Sequence, residues 1–256
     1  SNFWESISIF TKIKFSSLPD SIYKKHNSFI KTQWFEGAKL NFAENLLKYK
    51  DDSIAIEYFC ENKLKGKITY RQLFDRVSNC AYYLESLGIK KGDRVAGFMP
   101  NIPEAIIAML ASSAIGAVWS SCSPDFGING VLERFTQINP KILFVSDGYF
   151  YKGKKIDLSS KINQIKKALP TVKKIICATI IGRSNIDSCI FWDDIPLKKI
   201  SYAFKPTSFS DPLYIMYSSG TTGKPKSIVH SSGGTLIQHM KELILHTDLK
   251  RDDKIF

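Results

Sequence analysis

The sequence predicts an α/β fold built on a mainly parallel sheet, and three observations carry that expectation. From about residue 53, short apolar runs alternate with longer segments whose apolar residues recur at helical spacing. Strict alternation of strand and helix is the pattern of a parallel sheet covered on both faces. Composition agrees: 44% hydrophobic and 23% charged residues are ordinary globular values, enough for a buried core and unlike a disordered chain.

Taken in order, the first fifty residues are aromatic-rich and irregular, as in "NFWESISIF" and "TQWFEGAKLNFAENLLKYK". They read as short helical pieces, so residues 1–52 are expected to form an N-terminal segment laid over the α/β unit of residues 53–256. That unit opens with a strand at "SIAIEYF". In "TYRQLFDRVSNCAYYLESLG", Leu73, Val77, Ala81 and Leu84 define one helical face. Thr69 with Gln72 makes a capping box at its start, and Gly88 takes the left-handed stop with Ile89 packing back. "DRVAGFMPN" is a buried strand, and Asn101 with Glu104 is expected to open the next helix. The longest apolar run, "IPEAIIAMLASSAIGAVW", is interrupted by Pro103, Glu104 and small polar residues. It reads as a buried helix rather than a membrane span, which needs about 18 uninterrupted apolar residues.

Strands at "GAVWSSCSP", "KILFVSD" and "KKIICATII" and helices at "GVLERFTQIN" and "SSKINQIKKAL" continue the alternation. Residues 182–212 gather Pro, Ser and Asp and read as a long surface connection. It leads to a short buried strand, "LYIMYS", then to "YSSGTTGKPKS", a strand at "SIVHS" and an amphipathic helix at "GGTLIQHMKELILH".

Charge and cysteine content exclude several classes. Lys and Arg number 36 against 24 Asp and Glu, a formal charge of +12. The lysines are dispersed at the ends of apolar segments, with no arginine-rich stripe, RNA-recognition motif or zinc-finger spacing, so nucleic acid is not an expected partner. The five cysteines are odd in number, far apart and without C-x-x-C. Reduced, mostly buried thiols in a cytoplasmic protein are expected.

"YSSGTTGKPKS" carries the chemistry. Gly220 and Gly223 permit positive φ and close backbone approach, so that successive N–H groups converge on an anion. Ser218, Ser219, Thr221 and Thr222 add hydroxyl donors, Lys224 and Lys226 add charge, and Pro225 stiffens the exit. A Walker loop, G-x-x-x-x-G-K-[ST], is excluded because Pro225 stands where its second glycine belongs. No G-x-G-x-x-G follows a first strand, and no G-x-S-x-G elbow occurs, which sets aside dehydrogenase and serine-hydrolase readings. A plain hairpin turn with incidental lysines is the competing structural reading; the length of the pattern disfavours it. His239, Glu242 and His246 share a helix but lack the H-E-x-x-H spacing and lie beside an apolar face, so no metal-ligand set is assigned. His230, after "SIV", stands near the stretch and is open to an approach to nucleotide or acid; a satisfied, buried histidine is the preferred reading.

The stretch resembles the phosphate loop of the AMP-forming acyl-CoA synthetases of the adenylate-forming superfamily. The residue after the second lysine is commonly glycine there and is Ser227 here. "WFEGAKLNFAENLL", "GDRVAGFMPN", "WSSCSPDFGINGVLERFTQINPKILF" and "MYSSGTTGKPKSIVHSSGGTLIQHMKELILH" are similar to the acetoacetate–CoA ligase subfamily, over essentially the whole chain. The resemblance implies an N-terminal segment of the acetyl-CoA-synthetase type at 1–52 and the first part of the AMP-binding large domain at 53–256. It implies joining of acetoacetate to coenzyme A at the expense of ATP, with Mg2+, through an acyl-adenylate. Ser218, Ser219, Gly220, Thr221, Thr222, Gly223 and Lys224 would hold the ATP phosphates, and Lys226 would act in catalysis. Lys152, Lys154 and Lys155, in "DGYFYKGKKIDL", fall where relatives contact the phosphates of coenzyme A; a solvated lysine cluster explains them as well.

The adenine motif, the ribose-binding aspartate, the hinge and the C-terminal lysine domain of the family follow the phosphate loop and lie outside these 256 residues. The chain is therefore expected to be the N-terminal portion of such an enzyme and inert alone, with the remainder of the enzyme as its partner. A ligase for acetate or propionate, and a non-catalytic nucleotide-binding protein, stay open. Asp125, Phe126 and Gly127 are expected to shape a turn, and Trp119 and Phe126 to anchor core or loop.

Overall fold

The computed structural model describes residues 2–61, 65–198, 200–219 and 223–256. The chain enters through α1 (Asn2–Phe10), β1 (Phe15–Ser17), β2 (Ser21–Lys24), β3 (Gln33–Glu36), β4 (Lys39–Leu40) and α2 (Phe42–Leu46). A hairpin of β5 (Ile54–Phe59) and β6 (Lys65–Thr69) leads into α3 (Tyr70–Ser86). Next come β7 (Arg94–Phe98), α4 (Pro103–Ala114), β8 (Val118–Cys122), α5 (Ile128–Ile138) and β9 (Ile142–Ser146). After the hairpin β10 (Gly148–Tyr151) and β11 (Lys154–Asp157) lie α6 (Ser159–Ala168), β12 (Lys174–Ala178) and β13 (Cys189–Phe191). The last elements are β14 (Thr207–Ser208), β15 (Pro212–Ser218), β16 (Lys226–Ser231) and α7 (Ser232–Lys241).

Among the described residues the central sheet has seven strands in the order β13-β12-β9-β7-β8-β15-β16. All neighbours are parallel except β15 and β16. The expected α/β fold is present, and the strand pleat explains its two cores: successive side chains alternate between faces. Val95, Ile142, Phe144 and Ile176 turn toward α2, α3, α4 and α7. Ala96, Phe98, Leu143, Val145, Ile175 and Cys177 turn toward α5 and α6. Each fully buried aliphatic side chain stabilises the fold by about 1.5–3 kcal/mol, whereas an exposed ion pair contributes about 0–1 kcal/mol. Pairs such as Arg71–Asp52 and Lys250–Asp248 are exposed, so the two apolar layers hold the structure.

The helix-end signals of α3 are realised in full. Thr69 Oγ1 accepts from Gln72 N at 3.2 Å, and Gln72 Oε1 accepts from Thr69 N at 3.0 Å. At the other end Gly88 has φ +79°, Gly88 N donates to Glu85 O and Ile89 N to Leu84 O, a Schellman stop. The apolar run "IPEAIIAMLASSAIGAVW" divides into the buried helix α4 and the start of β8. No helix among the described residues is long and apolar enough to cross a membrane.

Four expectations are corrected. Asn101 does not cap α4: Pro103 stands at its first position, where a missing N–H costs nothing, and Ile102 is an N-cap without a side-chain bond. The N-terminal region is not only helical pieces, since β2 pairs with β3, and β1 and β4 join β14 from far along the chain. Residues 182–212 are not wholly irregular. The buried carboxylate of Asp147 accepts hydrogen bonds from the N–H groups of Ile180, Ile181, Gly182 and Arg183 at 2.7–3.0 Å. That loop, held by one side chain, returns the chain to add β13 beside β12. The strand expected at "SIAIEYF" exists, but it pairs with β6 beside α3 rather than joining the central sheet.

Two contacts lock the N-terminal segment and the sheet. Asn41 Nδ2 donates to Ser113 O, Ala114 O and Lys205 O at 3.0, 3.1 and 2.8 Å, while its Oδ1 caps α2 by accepting from Glu44 N. Within the sheet, Gly97 of β7 leaves room for the Trp119 ring of β8; a Cβ there would lie 2.6 Å from Trp119 Cζ2.

Candidate functional site

In open parallel sheets, ligands bind beyond the carboxyl ends of the strands, where the loops leave. Among the segments that leave that edge are the turn 123–127 after β8, the β10–β11 hairpin after β9, and the stretch that follows β15. They are tied together. Tyr149 donates its phenolic hydrogen to Asp125 Oδ1 at 2.7 Å, and Ser123 Oγ donates to Asp125 Oδ2 at 3.0 Å. Lys161 Nζ donates to Pro124 O and Phe126 O. The Arg134 guanidinium covers the Phe126 ring at 4.4 Å and lies 5.7 Å from the Tyr217 ring. The expected roles follow: Asp125, Phe126 and Gly127 shape the turn, and Trp119 is buried in the core.

The glycine-rich stretch falls between β15 and β16, whose last register pair is Ser218 with Lys226. Ser218 is half-buried at the end of β15, and Ser219 is exposed. Gly220, Thr221 and Thr222 lie outside the described residues. Gly223 has φ +124° with open space around a would-be Cβ, so conformation rather than crowding calls for glycine. Lys224 and Lys226 are exposed on either side of buried Pro225, and among the described residues neither has an ion-pair partner. Hydroxyls, a positive-φ glycine and two unpaired cations suit a polyphosphate.

The base of this hairpin is bonded to α5. Tyr217 donates its hydroxyl hydrogen to Arg134 O at 2.9 Å, Gln137 Nε2 donates to Pro225 O at 2.9 Å, and Ser227 Oγ donates to Gln137 Oε1 at 2.8 Å. Sequence reasoning did not single out Arg134 or Gln137. Both stand in "VLERFTQI", but spacing along one helix gives no sign of a strand ninety residues later.

The other candidates fall elsewhere. Lys152 and Gly153 form the tip of the β10–β11 hairpin with φ of 50° and 74°, and Lys154 and Lys155 follow on β11. All three lysines are exposed. Because neighbours on a strand point to opposite faces, Lys154 and Lys155 do not converge on one anion. Glu61 accepts from Gly153 N at 3.0 Å, and that bond, with the Lys152 N–H, holds its carboxyl below the usual range. His230 faces Tyr214 on the neighbouring strand, their ring centroids 5.1 Å apart. It stands four residues along β16 from Lys226, about 13 Å from the loop. Glu242, in the π-helical turn after α7, is engaged by Gln238, Lys241 and His246 on its own helix.

The described cysteines are unpaired, Cys60 and Cys189 half-buried and the others buried. Burial pushes the Cys122 thiol up to about 11 despite the opposing pull of Arg134. Burial likewise raises Cys60, Cys80, Cys177 and Cys189, leaving neutral thiols.

The chain is 42% identical to the acetoacetyl-CoA synthetase of Macaca fascicularis, over 99% of this chain and 40% of that protein. It is 43% identical to that of Gallus gallus, with the same coverage, and 44% identical to that of Rhizobium meliloti over 88% of this chain and 35% of that one. The acetoacetyl-CoA synthetase structure from Streptomyces lividans superposes with a TM-score of 0.94 at 38% identity, covering 98% of this chain and 39% of that one. The chain thus spans about 40% of the length of the curated relatives it matches. The model of the family described as "AMP-binding enzyme" matches residues 42–256, and this chain belongs to that family.

Proposed function

We propose that this chain is the N-terminal portion of an acetoacetate–CoA ligase working in the cytoplasm, with residues 1–52 as an N-terminal addition and 53–256 as the first part of its AMP-binding domain. The observation that carries the reading is the stretch after β15 that holds Gly223, Lys224 and Lys226, the two lysines exposed and without an ion-pair partner among the described residues, in a chain similar to acetoacetyl-CoA synthetases throughout. In the reaction, a carboxylate oxygen of acetoacetate bonds to the α-phosphorus of ATP and the bond to pyrophosphate breaks. The sulfur of coenzyme A then bonds to the acyl carbon, and AMP leaves with the oxygen.

The loop acts in the first step. Negative charge gathers on the departing pyrophosphate, and preorganised donors and cations that face it lower the barrier. Ser218, Ser219, Gly220, Thr221, Thr222, Gly223 and Lys224 hold the β- and γ-phosphates, and Lys226 neutralises charge that develops in the transition state. No carboxylate occurs in residues 217–231, so Mg2+ would be held here by hydroxyls and phosphate oxygens, with any carboxylate ligand coming from elsewhere. Lys152, with Lys154 or Lys155, is kept as an anchor for the phosphates of coenzyme A.

The test is acid-dependent exchange of labelled pyrophosphate into ATP by the intact protein, with acetoacetate, acetate, propionate and butyrate compared. Preference for acetoacetate is expected. Preference for another acid removes the substrate assignment and keeps the chemistry; absence of exchange with every acid removes the ligase reading. The 256-residue chain alone is expected to form no acyl-CoA, and measurable formation would overturn that expectation.

A further inference from the structure

Gln137 lies in the last turn of α5, and every hydrogen-bonding group of its amide is engaged. Nε2 donates to Glu133 O at 2.7 Å and to Pro225 O at 2.9 Å, while Oε1 accepts from Ser227 Oγ at 2.8 Å. Two donors on carbonyls and one acceptor on a hydroxyl allow a single orientation of the amide. Pro225 and Ser227 are the residues on either side of Lys226. One helix turn earlier, Arg134 O accepts from Tyr217, the register partner of Ser227 on the opposing strand. Positions 134 and 137 share a helix face, so one face of α5 holds both strands of the hairpin at its mouth.

The consequence falls on Lys226. On a strand, successive side chains alternate between faces, and the Ser227 side chain, bonded to α5, puts that of Lys226 on the opposite face, while the bond to Pro225 O fixes the backbone just before it. Its exposed side chain is therefore set on the face away from α5 by a contact it does not itself make. Ser227, which stands where the related loops commonly have glycine, supplies half of that contact. We infer that Gln137 is a positioning residue of the phosphate loop, which sets the direction of Lys226 through Pro225 and Ser227. The inference rests on the proposed reading of the loop and deepens it.

The test uses the 256-residue chain. Backbone hydrogen exchange over residues 223–228 and binding of inorganic pyrophosphate with Mg2+ are measured for the unaltered chain and for Gln137→Ala, Ser227→Ala, Ser227→Thr and Lys226→Ala. Gln137→Ala and Ser227→Ala are each expected to speed exchange in that segment, and to weaken pyrophosphate binding, by about three- to tenfold, the worth of one side-chain hydrogen bond. The double variant is expected to be no worse than the more affected single one, because both remove the same contact. Ser227→Thr, which keeps the hydroxyl, is expected to restore both readouts.

Loss of binding in Lys226→Ala together with unchanged exchange and binding in Gln137→Ala overturns the inference and leaves the loop reading intact. If the unaltered chain takes up no pyrophosphate, the loop reading falls, and with it the claim that Lys226 is aimed at a ligand; the exchange arm then tells whether the contact restrains the hairpin. Should Gln137→Ala fail to fold, the Ser227→Ala and Ser227→Thr pair carries the same decision.

Discussion

Tyr149 and Asp125 join two loops that leave the sheet from neighbouring regions of its carboxyl edge: the phenol donates to Asp125 Oδ1 at 2.7 Å. Burial, and then the bond to Asp125, push the phenol up to about 12. The folded state thus holds this proton more tightly than the unfolded chain, whose tyrosines ionise near 10. Its contribution to stability is complete below about pH 10 and is lost as pH rises toward 12. Tyr149→Phe is expected to abolish that part of the alkaline loss and to speed tryptic cleavage at the hairpin tip around Lys152. Denaturant midpoints at pH 8 and 11 check the first; identical alkaline losses in the two proteins would assign the effect elsewhere.

Asn41 is buried and serves three carbonyls at once. Asn41→Ala takes the side-chain donor from Lys205 O and leaves Ser113 O and Ala114 O with only their backbone donors, Gly116 N and Lys205 N, and is expected to cost about 1–3 kcal/mol. Asn41→Asp keeps the acceptor that caps α2 but removes the donors, so it is expected to be no milder than the alanine. Urea unfolding of both variants distinguishes the roles; a mild Asp variant would make the cap the main contribution.

Gly97→Ala places a methyl group against the Trp119 ring in a layer with no free space, and a loss of about 1–3 kcal/mol is expected. The double variant Gly97→Ala, Trp119→Leu relieves the clash. Recovery of part of the lost stability in that double variant, relative to Trp119→Leu alone, is the outcome that supports close packing as the cause.

Asp93 is paired with Lys141 at 2.6 Å and accepts from Lys90 N at 3.0 Å. Burial alone would raise its carboxyl, yet those bonds and nearby Arg94 hold it below the usual carboxylate range. A depressed carboxyl contributes stability that is present above the unfolded value, near 4, and lost as pH falls through the folded one. The gap in urea midpoint between the unaltered chain and Asp93→Asn is expected to be widest near pH 7 and to shrink below about pH 4. An equal gap at pH 3 and pH 7 would rule out the ionised carboxyl as its source.

For the intact protein, Lys226→Ala is expected to slow single-turnover adenylation by about 100-fold or more, as removal of a transition-state charge contact does, with little change in binding of the acid. Unchanged adenylation would remove Lys226 from the mechanism.

Local chemistry explains what was legible beforehand. The ends of α3 were readable because capping box and glycine stop lie within a few residues of the bonds they make. The stretch proposed to hold phosphate stood out because its glycines, hydroxyls and lysines are contiguous. Asn101 misled because Asn-x-x-Glu is a start signal only when nothing stronger intervenes, and Pro103 does. Asp147 looked like the end of a strand; its four N–H partners lie more than thirty residues downstream.

By itself the sequence determined the α/β alternation, the mainly parallel sheet, both ends of α3 and the family resemblance, since each depends on period or on adjacent residues. Tertiary structure alone decided that β5 and β6 stand apart from the sheet and that β14 pairs back with β4. It also decided that Gln137 and Arg134 hold the mouth of the loop. Those contacts join residues up to 167 positions apart, as in Thr207 Oγ1 donating to Leu40 O. Their partners are chosen by which faces remain to be buried and which carbonyls still lack a donor once the chain has folded.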